Sequence, residues 1–242
     1  MWELILDEAS QIPGFCTFSI LHTFPDLQKL VIVGDPKQLR PYGSQDTRGI
    51  SSAFDVFEAH QEPIFLDVQF RMPKPIADIL SRLAYNGRLK TAEEKAAGPS
   101  CIQWVDVPAG KEKQEGTSKT NEAEMQAIVR LFQTGELKEF STETAVLSFY
   151  KKQATRIKKA LDDAKIPASS DTVDSFQGRE AAIVVLSLVL TEPISKTFLA
   201  DARRVLAGLS RAQRVIYLVG KKSLWDRANQ VPLLREFAKQ AV

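Results

Sequence analysis

Two carboxylates stand side by side where an apolar run ends, in Leu4-Ile5-Leu6-Asp7-Glu8-Ala9-Ser10-Gln11. In a parallel sheet, ligands bind beyond the carboxyl ends of the strands. A pair at that place could hold Mg²⁺ through Asp7, with water completing the shell. Glu8 could orient or deprotonate an attacking water. Taken alone, the run is equally an ordinary strand closing in a solvated acidic turn. A second run, Val31-Ile32-Val33, leads into Gly34-Asp35-Pro36-Lys37-Gln38-Leu39-Arg40-Pro41. Gly and Pro at a strand end set a tight turn. From that turn Gln38 could hydrogen-bond a phosphate oxygen or a water, although the run also fits a plain strand-to-helix turn.

Such residues need a scaffold that ends its strands on one side. Short runs rich in Val, Ile and Leu recur at Glu3–Leu6, Leu30–Val33, Ile64–Leu66, Ile102–Val105, Thr144–Leu147, Ala182–Leu188 and Val215–Val219. Most do not alternate with polar residues, which is the pattern of parallel strands buried on both faces. Amphipathic helices lie between them. Ile76, Ile79, Leu80 and Leu83 follow the i, i+3, i+4, i+7 spacing, as do Met125, Ile128, Val129 and Phe132. The latter set follows a cap at Asn121 with Glu124 three residues on. Ala154, Ile157, Leu161 and Ala164 mark a third helix. Strands alternating with helices imply an α/β fold with a mainly parallel sheet and flanking helices. Ala97–Ser100 reads as a turn, and Pro108–Lys119 as a mobile polar surface loop.

A boundary is expected near residue 60. Residues 1–60 hold two strands, too few to make a covered parallel sheet. They read as the remnant of a first lobe whose front half lies outside these residues. Its open edge and uncovered apolar surface invite a partner. Residues 61–242 hold enough strands and helices for a complete second domain.

Composition narrows the classes further. The 242 residues are 44% hydrophobic and 26% charged, which supports a packed core. A net charge of +2 is too mild to argue for nucleic acid by itself. Cys16, Cys101, His22 and His60 have no zinc-site spacing and no disulfide framework. Such cysteine usage fits a reducing compartment, so an intracellular place, cytoplasmic or nuclear, is expected. No apolar run reaches membrane-spanning length, and acidic Glu3, Asp7 and Glu8 stand where a signal peptide carries basic residues.

Set in order, these runs resemble superfamily-1 helicases of the up-frameshift branch. Asp7-Glu8-Ala9-Ser10-Gln11 looks like motif II and Gly34–Pro41 like motif III. Gln69-Phe70-Arg71-Met72 resembles the segment that opens the second lobe. Phe149-Tyr150-Lys151-Lys152-Gln153 resembles motif IV, and Thr172-Val173-Asp174-Ser175-Phe176-Gln177-Gly178-Arg179-Glu180 is similar to motif V. Arg203-Arg204 followed by Gly208-Leu209-Ser210-Arg211-Ala212 resembles motif VI.

The resemblance implies two RecA-like lobes of P-loop NTPase type, an incomplete first and a complete second. Between them ATP and Mg²⁺ would be clamped, with single-stranded RNA or DNA across their tops. It implies that Asp7 binds Mg²⁺, that Glu8 positions water, and that Gln38 senses the γ-phosphate. Arg71 and Arg211 would reach the phosphates, where an arginine fork pairs with two oxygens. Glu180 would meet the sugar or the phosphate network, or else cap the next element. Thr172 and Ser175 would face the nucleic-acid backbone, and Tyr150 would stack or simply pack.

The sequence departs from the pattern in places. No G-x-x-x-x-G-K-[ST] occurs, so the backbone cradle for the phosphates is missing from these residues. Arg40, Phe149, Ala181-Ala182, Leu206 and Gln213 replace the usual residues. The expectation is a polypeptide that is not an autonomous ATPase. It would act with the missing first-lobe region or a partner protein. The alternative is a non-hydrolysing module that binds nucleic acid or protein, or a truncated fragment.

Overall fold

The computed structural model describes residues 2–41, 51–92, 99–192, 199 and 201–242. They divide into two compact units, Met1–Phe65 and Leu66–Val242.

In the first unit β1 (Trp2–Leu6) and β2 (Leu27–Ile32) pair in parallel, with Leu4 opposite Leu30 and Leu6 opposite Ile32. The connection between them is α1 (Gly14–Thr23). A short α2 (Ala53–Glu58) follows, opened by a capping box in which Ser52 Oγ accepts from Asp55 N and Asp55 accepts from Ser52 N. Leu6, Ala9, Ala53 and Phe54 form a small core, with Leu4, Ile12, Ile20, Leu30 and Ile32 against it. Trp2, Ile5, Phe15 and Phe18 stay largely exposed.

The second unit is built on a five-stranded sheet in the order β5-β11-β10-β8-β9, all neighbours parallel. Its strands are β5 (Ile102–Asp106), β8 (Thr144–Ser148), β9 (Ser169–Thr172), β10 (Ala181–Ser187) and β11 (Ala212–Gly220). Every residue of β8 is buried, as continuous apolar runs in parallel strands require. Ile183 and Val185 of β10 join a core with Ile128, Leu131, Ile157 and Leu161. Those partners come from α4 (Glu122–Gln133) and α5 (Lys151–Asp163), which therefore cover one face. Val184 and Leu186 alternate to the opposite face and are also fully buried. A second layer, α3 (Lys74–Ala84), α6 (Ala202–Leu209), α7 (Lys222–Trp225) and α8 (Pro232–Gln240), packs together, with α7 and α8 against β5. The C-terminal residue lies along edge strand β5: Val242 N donates to Ile102 O at 3.2 Å, and Trp104 N donates to Val242 O at 3.1 Å.

Three sequence expectations change. Ile64–Leu66 is not a strand. Pairing begins at β3 (Val68–Gln69) against β4 (Lys90–Thr91), and Ile64 and Leu66 stay exposed. The reason is the position of the partner: Lys90 N bonds Asp67 O and Ala92 N bonds Gln69 O, so bonding starts only there. Pro108–Lys119 is largely a hairpin of β6 (Glu112–Glu115) and β7 (Ser118–Asn121). Gly116, at φ +64°, makes the turn, and Lys119 Nζ meets Glu112 Oε1 at 2.5 Å across the strands. Third, β9 is an unexpected strand, because Ser169-Ser170-Asp171-Thr172 carries no apolar residue. Of the expected turn at 97–100, residues 97 and 98 lie outside the described residues. No helix among the described residues is long and apolar enough to cross a membrane.

Candidate functional site

In the first unit the two candidate turns are built against each other. Val33 N donates to Leu6 O at 2.8 Å, and Ala9 N donates to Val33 O at 2.9 Å. Asp7 and Glu8 are thereby looped out between two strand-like bonds, past the carboxyl end of β1. Glu8 takes φ +50°, a left-handed conformation uncommon for a residue with a Cβ, and its N–H is capped by Asp7 Oδ1 at 2.8 Å. Asp7 is exposed and Glu8 half-buried. Gln11 Nε2 donates to Glu8 Oε2 at 3.4 Å.

Gly34 closes the other side. A Cβ there would meet Ser10 N at 3.0 Å and Ala9 N at 3.1 Å, so only glycine lets the two turns approach so closely. Beyond it Asp35 organises the loop, accepting from Lys37 N at 2.9 Å and from Gln38 Nε2 at 2.9 Å. Asp7, Glu8 and Gln38 thus sit at the carboxyl ends of adjacent parallel strands, as the sequence led us to expect. The oxygen donors suit a hard cation such as Mg²⁺, which takes one or two carboxylates and keeps waters. No group of three or more His, Cys, Asp or Glu fit to hold a metal occurs among the described residues.

In the second unit the candidates fall at two opposite ends of the sheet. At the amino ends of β10 and β11, Arg71 Nε donates to Glu180 Oε2, and Arg71 Nη1 donates to Ser210 O at 3.4 Å. Gln213 Nε2 donates to the other Glu180 oxygen. Parallel pairing of Ala181 with Ala212 places residue 180 beside residue 211, and the Gln213 side chain reaches back to Glu180 from two residues further along β11. Arg211 belongs to the same end, but its side chain is buried. Its Nε donates to Ala207 O at 2.7 Å and its Nη1 to Arg179 O at 3.5 Å. Gln213, which the sequence offered only as a departure from the family pattern, is therefore part of the cluster. Its signal lay in the register of two strands, which spacing alone does not give.

At the carboxyl ends, Thr172 closes β9. Its Oγ1 accepts from Ser175 N at 3.1 Å and donates to Ser175 Oγ at 2.9 Å, a compact hydroxyl turn. Tyr150, after β8, is buried rather than displayed for stacking. The segment 173–179 crosses from this end to the other. Val173 and Phe176 are buried along it, Arg204 Nε bonds Asp174 Oδ1 at 2.8 Å, and Arg179 lies over the Phe176 ring at 4.5 Å. The structure thus brings Arg71, Glu180 and Arg211 together and keeps Thr172 and Ser175 apart from them.

Residues 51–223 match the model of a family described as AAA domain, AAA_12. The chain belongs to that family. It is 30% identical to human probable helicase senataxin over 271 residues, covering 98% of this chain and 10% of senataxin. It is 30% identical to the DNA polymerase alpha-associated DNA helicase A of Saccharomyces cerevisiae over 267 residues, covering 93% of this chain and 39% of that protein. Helicase SEN1 of the same yeast is 28% identical over 258 residues, covering 92% and 11%. The chain therefore spans from about a tenth to two fifths of these relatives' lengths. Among solved structures, the arterivirus nonstructural protein 10 helicase matches with a TM-score of 0.54 at 16% identity, over 98% of this chain and 42% of that one. These relatives are helicases by name, and the parallel α/β architecture of the second unit is that of a RecA-like helicase lobe.

Proposed function

We propose that this chain is the part of an ATP-dependent helicase of the up-frameshift type that couples nucleotide hydrolysis to movement along single-stranded RNA or DNA. Residues 1–60 would belong to the first RecA-like lobe and residues 61–242 would form the second. The observation that carries the reading is the convergence of Arg71 with Glu180, 109 residues away in sequence, together with Arg211 and Gln213. Two guanidinium groups ordered by a carboxylate and backbone carbonyls form a preorganised site for phosphate charge.

In this reading Asp7 holds Mg²⁺, which when bound neutralises charge on the phosphate oxygens. Glu8 orients the attacking water and takes its proton, aided by the fixed turn that its left-handed backbone makes. Gln38 hydrogen-bonds the γ-phosphate or that water. Arg71 and Arg211 stabilise the charge that builds on the transferred group, an effect that can reach about 10³–10⁵ in rate. Glu180 aims Arg71 or meets the sugar. Thr172 and Ser175 donate to nucleic-acid phosphates, which positions a strand without reading its bases.

A second reading keeps strand binding alone, at the hydroxyl turn of Thr172 and Ser175, which lies at the other end of the sheet from the charged cluster. The polypeptide would then bind single strands without hydrolysing ATP. Oligonucleotide-stimulated ATP hydrolysis by the purified chain, with Glu8→Gln beside it, separates the two. Turnover abolished by Glu8→Gln supports a complete motor. Strand binding without turnover supports the second reading, or a first reading in which the phosphate cradle comes from elsewhere. Adding the phosphate-loop region of a relative in trans then decides between those two.

A further inference from the structure

At the carboxyl ends of β8, β10 and β11 lies a buried polar network that the reading above does not use. Its centre is Glu124, fully buried in the first turn of α4. The Asn121 side chain accepts from Glu124 N at 3.3 Å, as the capping spacing predicts. The Glu124 carboxyl does not return to the cap's N–H, however. Oε2 accepts from Ser187 Oγ at 2.7 Å and from Val189 N at 2.9 Å, and Oε1 accepts from Asn121 Nδ2 at 3.2 Å. Gln153, the last residue of the motif IV run, is also spent here. Its Nε2 donates to Asn121 O at 3.0 Å and to Ser187 Oγ at 3.2 Å, and its Oε1 accepts from Asn121 N at 2.9 Å.

The network holds a strained turn. Val189 has φ +69°, a left-handed conformation that a β-branched residue seldom takes, and Leu190 N bonds Leu188 O at 2.8 Å across it. Both peptide groups of Val189 are tied down: its N–H by Glu124, and its carbonyl by Asn121 Nδ2 at 3.0 Å. Two residues on, Thr191 N donates to Glu112 Oε2 at 2.7 Å. A turn of this kind persists only where its surroundings over-determine it, and such turns cluster at sites that position or switch something.

We propose that Glu124 is a positioning residue for strand binding: its carboxyl latches the Leu188–Leu190 turn and, through Ser187 and Asn121, sets Gln153 and the first turn of α5 beside the carboxyl ends of the sheet. The role in binding rests on the nucleic-acid reading above; the latch itself does not. The elements around Glu124 carry few charges. β6 offers Glu112, which is ion-paired with Lys119 of β7, while β10, β11 and α5 face it with Ser187, Gly220 and Gln153. Burial, the largest influence, pushes the Glu124 carboxyl up to about 8, against the pull of the Ser187, Val189 and Leu188 donors. A latched carboxyl therefore keeps its proton at neutral pH, while one released to water loses it.

Amide exchange at Val189 in the full chain tests the latch, with rates corrected for intrinsic base catalysis. Opening releases a proton, so wild-type protection is expected to fall with rising pH by up to about tenfold per unit, levelling near pH 8. Glu124→Gln cannot ionise and is expected to give a flat profile. Glu124→Ala is expected to lose protection at every pH. Equal pH slopes in wild type and Glu124→Gln would overturn the latch, and that comparison stands even if Glu124→Ala fails to fold. Anisotropy of a labelled oligothymidylate tests the binding role: affinity should track protection across pH in wild type and lose that dependence in Glu124→Gln. Affinity independent of protection overturns the positioning role. No binding by wild type under any condition overturns the nucleic-acid reading, and the role with it, while exchange still reports on the latch.

Discussion

Raising the pH from 5 to 8 should weaken the second unit through a single buried group. Glu124 has an ordinary value of 4.5 and is carried to about 8 in the folded protein, chiefly by burial. Between those values the folded chain holds a proton that the unfolded chain has given up. Its contribution to stability is therefore fully present below 4.5, falls as pH rises, and is lost by about 8, at about 1.4 kcal/mol per pH unit. Across the window this amounts to several kcal/mol, against about 5–15 kcal/mol for a whole domain. Other shifted carboxyls act elsewhere. Lys90 lowers Asp67, and Glu112 is lowered because Lys119 and the Thr191 N–H outweigh its burial. Hydrogen bonding to Gln240, with Arg82, lowers Glu236. Groups of that kind lose their contribution only as pH falls through their depressed values, below about 4.5. Urea denaturation at pH 5, 6, 7 and 8 measures the slope. Trp104 and Trp225, both in the second unit, report it by fluorescence. Glu124→Gln, which cannot ionise, should flatten the profile, so that its stability relative to wild type rises by several kcal/mol between pH 5 and 8. Parallel profiles for the two proteins would show instead that Glu124 titrates alike folded and unfolded.

Three further outcomes are expected. Gly34→Ala should destabilise the first unit by about 1–3 kcal/mol, since the new methyl meets backbone nitrogens at 3.0 and 3.1 Å that cannot swing aside; faster amide exchange at Ala9 and Val33 would show it. Ile157→Ala removes a fully buried side chain from the core under α4 and α5 and should cost about 2–5 kcal/mol in urea denaturation. Arg71→Ala should change stability by less than about 1 kcal/mol, because its pair with Glu180 is partly exposed, yet remove binding of a fluorescent ATP analogue in any preparation that binds it.

Sequence made legible whatever is chemically local. Asp7, Glu8 and Gln38 follow apolar runs with turn residues behind them, and each lies past a strand end. The α3, α4 and α5 helices announced themselves by period, because each buries one face. The hairpin of β6 and β7 did not, since ion pairs hold it where the pattern shows only polar residues. β9 was hidden for a related reason: an edge strand pairs through its backbone and needs no apolar side chains of its own. Glu124 read as a capping residue from its spacing. Only the tertiary fold brings Ser187 and Val189 over it and turns a surface cap into a buried acid. Gln153 and Tyr150 show the same limit, because a motif marks residues that matter without saying whether they face a ligand or the core.

Arg71, Glu180, Arg211 and Gln213 gather at the amino ends of β10 and β11, while Thr172 and Ser175 lie at the carboxyl end of β9. One covalent path, residues 173–179, joins them across the sheet. It is fixed at Val173, against which a Cβ on Gly208 of α6 would come within 3.2 Å, at buried Phe176, and at Asp174 by Arg204. Such a path cannot flex freely between its ends. A ligand that moves Thr172 must shift Arg179 and Glu180 with it, or else break the Asp174–Arg204 pair. Arg204→Ala should therefore leave the charged cluster formed but uncouple it from the end that carries Thr172 and Ser175, where we propose that a strand binds. Oligonucleotide addition would then no longer change exchange at Ala181, whose N–H bonds Arg211 O at 3.2 Å. An unchanged response in Arg204→Ala would mean that the two ends communicate through the strands themselves rather than through the crossing segment.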